Sequence, residues 1–261
     1  MPRYVRFTLF GKSRWGLVEG DVLRAVSHGP LEGGTPRPEG DPLPWDPITL
    51  HPPTVPSKIV CVGRNYAAHA AELGHAVPSE PLIFLKPPSC LLPHGGDIVY
   101  PTRETRLVHH EGELGVVIGR RARRVSEGEA LDHVLGYTIV NDVTARDLQR
   151  KDVQFTRAKS FDTFGPVGPW VDTDFAPAGQ RLTVTVGDEV RQDGTLDQMV
   201  FDVAILIAWI SRIMTLEPGD LIATGTPEGV GPLAPGDVVE VAIEGLGALR
   251  NRVVADLRPA A

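Results

Sequence analysis

Apolar residues in this chain recur mainly in short alternating or unbroken runs, the pattern of strands, and only once at the spacing of a long helix. Residues 3–10, 15–19 and 22–26 alternate apolar with polar and are separated by Gly11-Lys12-Ser13 and Glu19-Gly20-Asp21, which predicts a small β-meander. From His28 to about Trp45 the chain is rich in Pro and Gly and too poor in apolar residues to pack. The composition changes again after Pro52-Pro53-Thr54-Val55-Pro56, so the boundary falls near residue 55, with 1–55 a small N-terminal β domain and 56–261 the main domain.

Lys58 to Gly63 reads as a buried strand, followed by a helix from Tyr66 to Leu73 that Asn65 can cap and Gly74 can close. Isolated helices shorter than roughly 12–15 residues are marginal in water, so this one needs packing or a ligand to hold it, as a lid over a site would. Its polar members His69 and Glu72 lie three apart on one face, where the carboxylate can orient the imidazole as a general base. Surface pairs at this spacing are common, and that is the plainer reading. Further strands are expected at Leu82–Pro88 and Asp97–Pro101, with Lys86 either reaching a site or covering a strand end, and a short helix is expected at Ser126–Asp132. A hairpin turning at Gly187-Asp188 joins 182–187 to 190–192, and strands at 237–243 and 247–254 close the sheet. The long helix runs from Phe201 to Met214, with Val203, Leu206, Ile207, Ile210 and Ile213 facing the core.

The chemistry concentrates between the two central runs. Glu111-Gly112-Glu113 enters an unbroken Leu-Gly-Val-Val-Ile strand, and residues two apart on a strand share a face. The next strand, Leu135 to Val140, delivers Asp142 at its exit, with Thr144 placed to cap a polar helix over Arg146–Gln154. A Glu-x-Glu pair alone is more often the solvated face of an edge strand; the apolar run behind it and the third acid favour a metal. Three carboxylates with no Cys suit Mg²⁺ or Mn²⁺ better than zinc or copper. Gln149 can face the same pocket, and Lys159, between an apolar platform and a Gly-Pro turn, can supply positive charge for a carboxylated substrate. The glycine-laden loop Gly219 to Gly231 can cradle a carboxylate, but it lacks the lysine of a phosphate loop.

Composition narrows the class. A net charge of −7 argues against nucleic acid or an anionic membrane surface as partner, and 42% hydrophobic with 23% charged residues is ordinary for a soluble globular protein. No apolar run approaches the roughly twenty residues of a membrane span, and the N-terminus lacks a signal pattern. Cys61 and Cys90 sit in no CxxC and are expected as free thiols, which with the missing signal places the protein in the cytoplasm.

Six motifs, in order, carry a resemblance. Val60-Cys61-Val62-Gly63-Arg64-Asn65-Tyr66, Phe84-Leu85-Lys86-Pro87, His110-Glu111-x-Glu113-Leu114, Asn141-Asp142-x-Thr144-Ala145-Arg146-Asp147, Ala158-Lys159-Ser160-Phe161 and Gly225-Thr226-Pro227-x-Gly229-Val230-Gly231 together resemble the fumarylacetoacetate hydrolase family over about residues 57–254. The resemblance implies a β-rich α+β fold, a mixed β-sandwich roll with a small N-terminal β domain, assembled as a homodimer around one Mg²⁺ or Mn²⁺ per chain. It places Glu111, Glu113 and Asp142 on the metal ligands, and His69 and Glu72 on a lid dyad that activates water. Lys159, Gln149 and Thr226 fall on positions that meet the substrate's carboxylate and oxo oxygens, with Arg64 and Arg146 as further substrate-binding residues. Fumarylacetoacetate hydrolase itself brings a fourth carboxylate from near the lid strand, where this chain has Gly63, Arg64 and Asn65. That departure makes the chain look closer to acylpyruvases, oxaloacetate decarboxylases and 2-hydroxyhepta-2,4-diene-1,7-dioate isomerases of aromatic catabolism.

A metal-stabilised enolate of a 2-oxo acid is common to C–C hydrolysis, decarboxylation and double-bond migration, so the metal does not choose among them. A base able to activate water favours hydrolysis of an acylpyruvate-like substrate. The isomerase and decarboxylase readings stand as alternatives, and a non-catalytic small-molecule binding protein is the alternative outside catalysis.

Overall fold

The computed structural model describes residues 2–46 and 48–257, and among them the strands form a twelve-stranded, a five-stranded and a three-stranded sheet. The large sheet runs, edge to edge, through Pro38–Leu43, Val22–Val26, Lys12–Glu19, Arg3–Leu9, Gly165–Asp172, Val134–Asn141, Gly112–Ile118, Leu221–Ala223, Ile59–Gly63 and Leu82–Lys86. The β-rich mixed architecture expected of the chain is present, but the N-terminal meander is not a separate sheet. Arg3 pairs with Asp172 and Tyr4 with Val171, so the small unit extends the large sheet through backbone hydrogen bonds. The Pro- and Gly-rich stretch differs from expectation too, since Pro38–Leu43 pairs with Val22–Val26. An outermost strand needs only one hydrogen-bonded side, which is why it tolerates Pro38 and an almost wholly exposed set of side chains.

Alternation assigns the two faces of the central strand Gly112–Ile118. Leu114, Val116 and Ile118 enter the main core with the helix Val203–Ile213, while Val117 packs on the opposite face with Ile59, Cys61, Val140 and Leu221. Glu111 and Glu113 share the face of Val117, at its end. The strands Val238–Ile243 and Gly247–Ala255 do not close this sheet as expected; they join Arg181–Val186, Glu189–Thr195 and Asp97–Tyr100 in the five-stranded sheet packed on the main core. The two sheets approach closely at Gly112, where a Cβ would meet Val184 Cγ2 at 2.4 Å and Val241 Cγ1 at 2.9 Å. A side chain between the two glutamates would therefore push the sheets apart.

Four local expectations are revised. Asn65 does not cap the short helix, which spans Ala67–Glu72: its amide donates to Phe201 O at 3.0 Å and Thr224 O at 2.8 Å and accepts from Phe201 N at 2.8 Å. Thr144 lies in a strand of its own and donates to Asp142 O at 2.8 Å, so it is not a cap either. The helix expected over Arg146–Gln154 stops at Lys151, and a second turn, Thr156–Lys159, carries Lys159. The long helix spans Val203–Ile213, capped by Asp202, whose carboxylate accepts from Ile205 N at 2.9 Å; Ile213, expected in the core, is 57% exposed. The hairpin at Gly187-Asp188 is present, with Gly187 at φ +59°, and Cys61 and Cys90 are buried free thiols. Among the described residues no helix is long and apolar enough to cross a membrane.

Candidate active site

Glu111, Glu113 and Asp142 converge at the ends of adjacent strands. Asp142 N donates to Glu111 O at 2.8 Å and Glu111 N to Asn141 Oδ1 at 3.0 Å, so backbone and an amide side chain fix the spacing of the acids. All three are at most 4% exposed, and each offers a carboxylate oxygen within 4.8 Å of the others.

Three buried cations face them. Lys159 Nζ lies 2.6 Å from both Glu111 Oε2 and Asp142 Oδ2, Lys86 Nζ lies 2.6 Å from Asp142 Oδ1 and 2.8 Å from Phe164 O, and Arg146 Nη2 donates to Glu111 Oε1. Burial pushes the Glu111 carboxyl up, but Lys159 and Arg146 outweigh it and hold the group below the usual carboxylate range. Glu113 is the exception. It accepts from Gly225 N at 2.8 Å and has no ion-pair partner among the described residues. Burial, then the charges of Asp142 and Glu111, push it well above the usual range, against the weaker opposing pull of Lys159. The donor set is thus three hard oxygens, one of them incompletely compensated, and it fits a divalent cation of the Mg²⁺ or Mn²⁺ kind.

A cavity of about 370 Å³ opens over these acids, and all the residues singled out in the sequence line it except Glu72. His69, 5% exposed, projects from the helix Ala67–Glu72 and places Nδ1 3.3 Å from Glu72 Oε2. The other oxygen of Glu72 accepts from Gly229 N at 3.1 Å, so one carboxylate orients the imidazole and pins the helix to the glycine-rich loop. His69 is therefore not the solvent-facing histidine that the spacing alone favoured, while Glu72 itself stays exposed. Burial lowers the His69 pKa, against the opposing pull of Glu111 and Glu72, so the ring is neutral near pH 7.

The remaining groups have defined polarities. Gln149 Oε1 accepts from Arg146 Nη1, which leaves its amide protons as the uncommitted end. Arg146 is thereby engaged with Glu111 and Gln149, while its buried Nε has no partner among the described residues. Thr226 Oγ1 donates to Gly112 O at 2.8 Å and receives Gln192 Nε2 at 2.8 Å, so its hydroxyl can only accept from a ligand. Arg64, in the left-handed region at φ +58°, and Arg150 line the cavity without an acidic partner among the described residues.

Sequence reasoning left Lys86 undecided and passed over Arg150, His110 and Gln192. A lysine ending an apolar strand before two prolines was the available signal for Lys86. Gln192 carried none, since its partners Gly112 and His110 lie 80 and 82 residues away.

Residues 58–254 match the family described as fumarylacetoacetate (FAA) hydrolase C-terminal, and residues 3–53 match Rv2993c-like, N-terminal. Protein Rv2993c of Mycobacterium tuberculosis is 48% identical over 241 residues, 91% of this chain and 90% of the relative. The mitochondrial oxaloacetate tautomerase FAHD1 of Pongo abelii is 46% identical over 201 residues, 75% of this chain and 90% of the relative. Among solved structures, 2-hydroxyhepta-2,4-diene-1,7-dioate isomerase from Mycobacterium marinum superposes with a TM-score of 0.90 at 42% identity, covering 99% of this chain and 100% of that one. Fumarylpyruvate hydrolase from Pseudomonas aeruginosa, in complex with Mn²⁺ and pyruvate, gives 0.72 at 37% identity over 76% of this chain and 90% of that one. By its six motifs, its fold and these matches, the chain belongs to the fumarylacetoacetate hydrolase family.

Proposed function

We propose that this protein is a divalent-metal-dependent enzyme that hydrolyses the C–C bond of an acylpyruvate-like 2-oxo acid. The observation that carries the reading is a buried His69, braced by Glu72, in the same cavity as the Glu111–Glu113–Asp142 cluster. Glu111, Glu113 and Asp142 would hold Mg²⁺ or Mn²⁺, which supplies Lewis acidity toward the oxygens of a 2-oxo acid.

Lys159 and the amide protons of Gln149 are the donors available to the pyruvate end of the substrate. With Nδ1 directed at Glu72, His69 presents Nε2 to a water molecule and takes its proton as the hydroxide oxygen adds to the distal carbonyl carbon. Glu72 stabilises the imidazolium so formed. The C–C bond then breaks, its electron pair leaves with the pyruvate fragment as an enolate, and the imidazolium returns the proton to that carbon. Arg64 and Arg150, without an ion-pair partner among the described residues, favour a substrate whose acyl end bears a second carboxylate.

Purified protein is incubated with Mn²⁺ and acetylpyruvate, fumarylpyruvate or oxaloacetate, and pyruvate is measured with and without chelator. Chelator-sensitive pyruvate from fumarylpyruvate in preference to acetylpyruvate is the expected result; no pyruvate from either overturns it. Oxaloacetate enolisation or decarboxylation is the second reading, favoured by the 46% identity to an oxaloacetate tautomerase. There His69 would move a proton to or from carbon without activating water, and turnover of oxaloacetate alone would select it.

A further inference from the structure

Gln192 projects from the strand Glu189–Thr195 of the five-stranded sheet, none of whose residues lines the cavity. It is fully buried, and both ends of its amide are used. Oε1 accepts from Gly112 N at 3.0 Å and His110 Nδ1 at 3.1 Å; Nε2 donates to Thr226 Oγ1 at 2.8 Å and Pro227 O at 2.7 Å. Gly112 N is only a donor and Pro227 O only an acceptor, so the amide has one possible orientation, and His110 carries its proton on Nδ1.

We propose that Gln192 is a positioning residue, which sets the spacing of Glu111 and Glu113 and ties that spacing to the loop bearing Thr226 and Gly229. Gly112 is the single residue between the two glutamates. Its N–H is held by Gln192 Oε1, and its C=O by the Thr226 hydroxyl that Gln192 Nε2 itself holds. The same loop supplies Gly229 N, the anchor of Glu72, and it rests on the same strand: a Cβ on Gly229 would meet Arg191 O at 2.1 Å. One amide therefore joins the acid cluster, the hydroxyl at the cavity wall and the latch of the His69 helix. A buried polar group with every bond satisfied is stiff, and outer groups of this kind govern how well carboxylates meet a cation. The proposal rests on the metal reading of the three acids.

The test uses the full chain, stripped of metal, titrated calorimetrically with Mn²⁺ and followed separately by thermal unfolding. Gln192→Leu is compared with Val253→Ala, a fully buried residue of the same sheet that makes none of these polar contacts. The expected result is an Mn²⁺ affinity about 10–100-fold weaker in Gln192→Leu. Val253→Ala lowers the unfolding temperature and leaves Mn²⁺ affinity unchanged. Unchanged affinity in Gln192→Leu, with a loss of stability like that of Val253→Ala, makes Gln192 a structural residue and overturns the proposal. If Gln192→Leu does not fold, Gln192→Asn, which draws the amide back by one methylene, is read in the same titration, and wild-type affinity there overturns it equally. Failure of the wild-type chain to bind Mn²⁺ overturns the metal reading itself, so the two failures are distinct.

Discussion

The parallel pair Ile59–Gly63 and Leu221–Ala223 has a buried carboxylate at each end, and the two are built in opposite ways. Asp220, at the entry, accepts from Ser57 N at 2.9 Å, Ser57 Oγ at 2.7 Å, Lys58 N at 3.2 Å and Glu217 N at 2.8 Å, and pairs with Lys58 Nζ. Burial pushes its pKa up, but Lys58, the Glu217 N–H and Ser57 outweigh it and leave the group below the usual carboxylate range. Glu113, beyond the other end, has the Gly225 N–H, two like charges, and Lys159 acting on it without a direct ion pair. Saturation marks a structural tie. A carboxylate left short of donors among other carboxylates is kept at a cost to the fold, and that cost is offset when a cation arrives.

The largest effect that would sharpen this contrast is at Glu113. Glu113→Gln is expected to abolish turnover and the rise in unfolding temperature on adding Mn²⁺, while the metal-free variant unfolds no earlier than metal-free wild type; a variant that still gains stability from Mn²⁺ would break the comparison. Next comes the group that acts without holding metal. His69→Ala is expected to lower turnover by roughly 10²–10⁴, the usual worth of a general base, with Mn²⁺ affinity unchanged by calorimetry. Wild-type turnover would return His69 and Glu72 to a packing role.

At the saturated end the effect is on stability alone. Asp220→Asn is expected to cost about 2–4 kcal/mol in denaturant unfolding, because several donors lose a charged acceptor, and to leave Mn²⁺ affinity untouched. Any loss of metal binding would couple the two ends. The smallest effect is in the pH dependence. The folded pKa of Asp220 lies below its unfolded value of about 3.9, so its contribution is complete above that value and is lost as pH falls through the folded one. Wild-type stability is therefore expected to fall more steeply than that of Asp220→Asn below about pH 4, and parallel curves would remove Asp220 from the acid transition.

Much of this was legible in the chain because it is local. Period-two alternation put Glu111 and Glu113 on one face, and three apolar turns marked the helix Val203–Ile213. The short helix carrying His69 was legible as well, but its spacing alone left open whether the dyad was a lid or a surface pair. His69 is buried over the acid cluster, on a helix that Glu72 ties to Gly229, and no spacing within the helix encodes those contacts.

What the sequence by itself determined, then, is which residues could do chemistry and on which faces of their own strands and helices they stand, since backbone geometry dictates those periodicities wherever the element sits. Only the tertiary structure decided which charges are compensated. Lys86 and Asp142 meet across 56 residues, Lys159 and Glu111 across 48, and Gln192 and Gly112 across 80. Asn65 and Thr144 were read as caps because a short polar side chain before a helix has that option locally, yet both are spent elsewhere. Burial makes an unpaired polar group costly, and for Asn65 the partners brought close by the fold, 136 and 159 residues away, outweigh the local choice, whereas Thr144 exchanges one local bond for another.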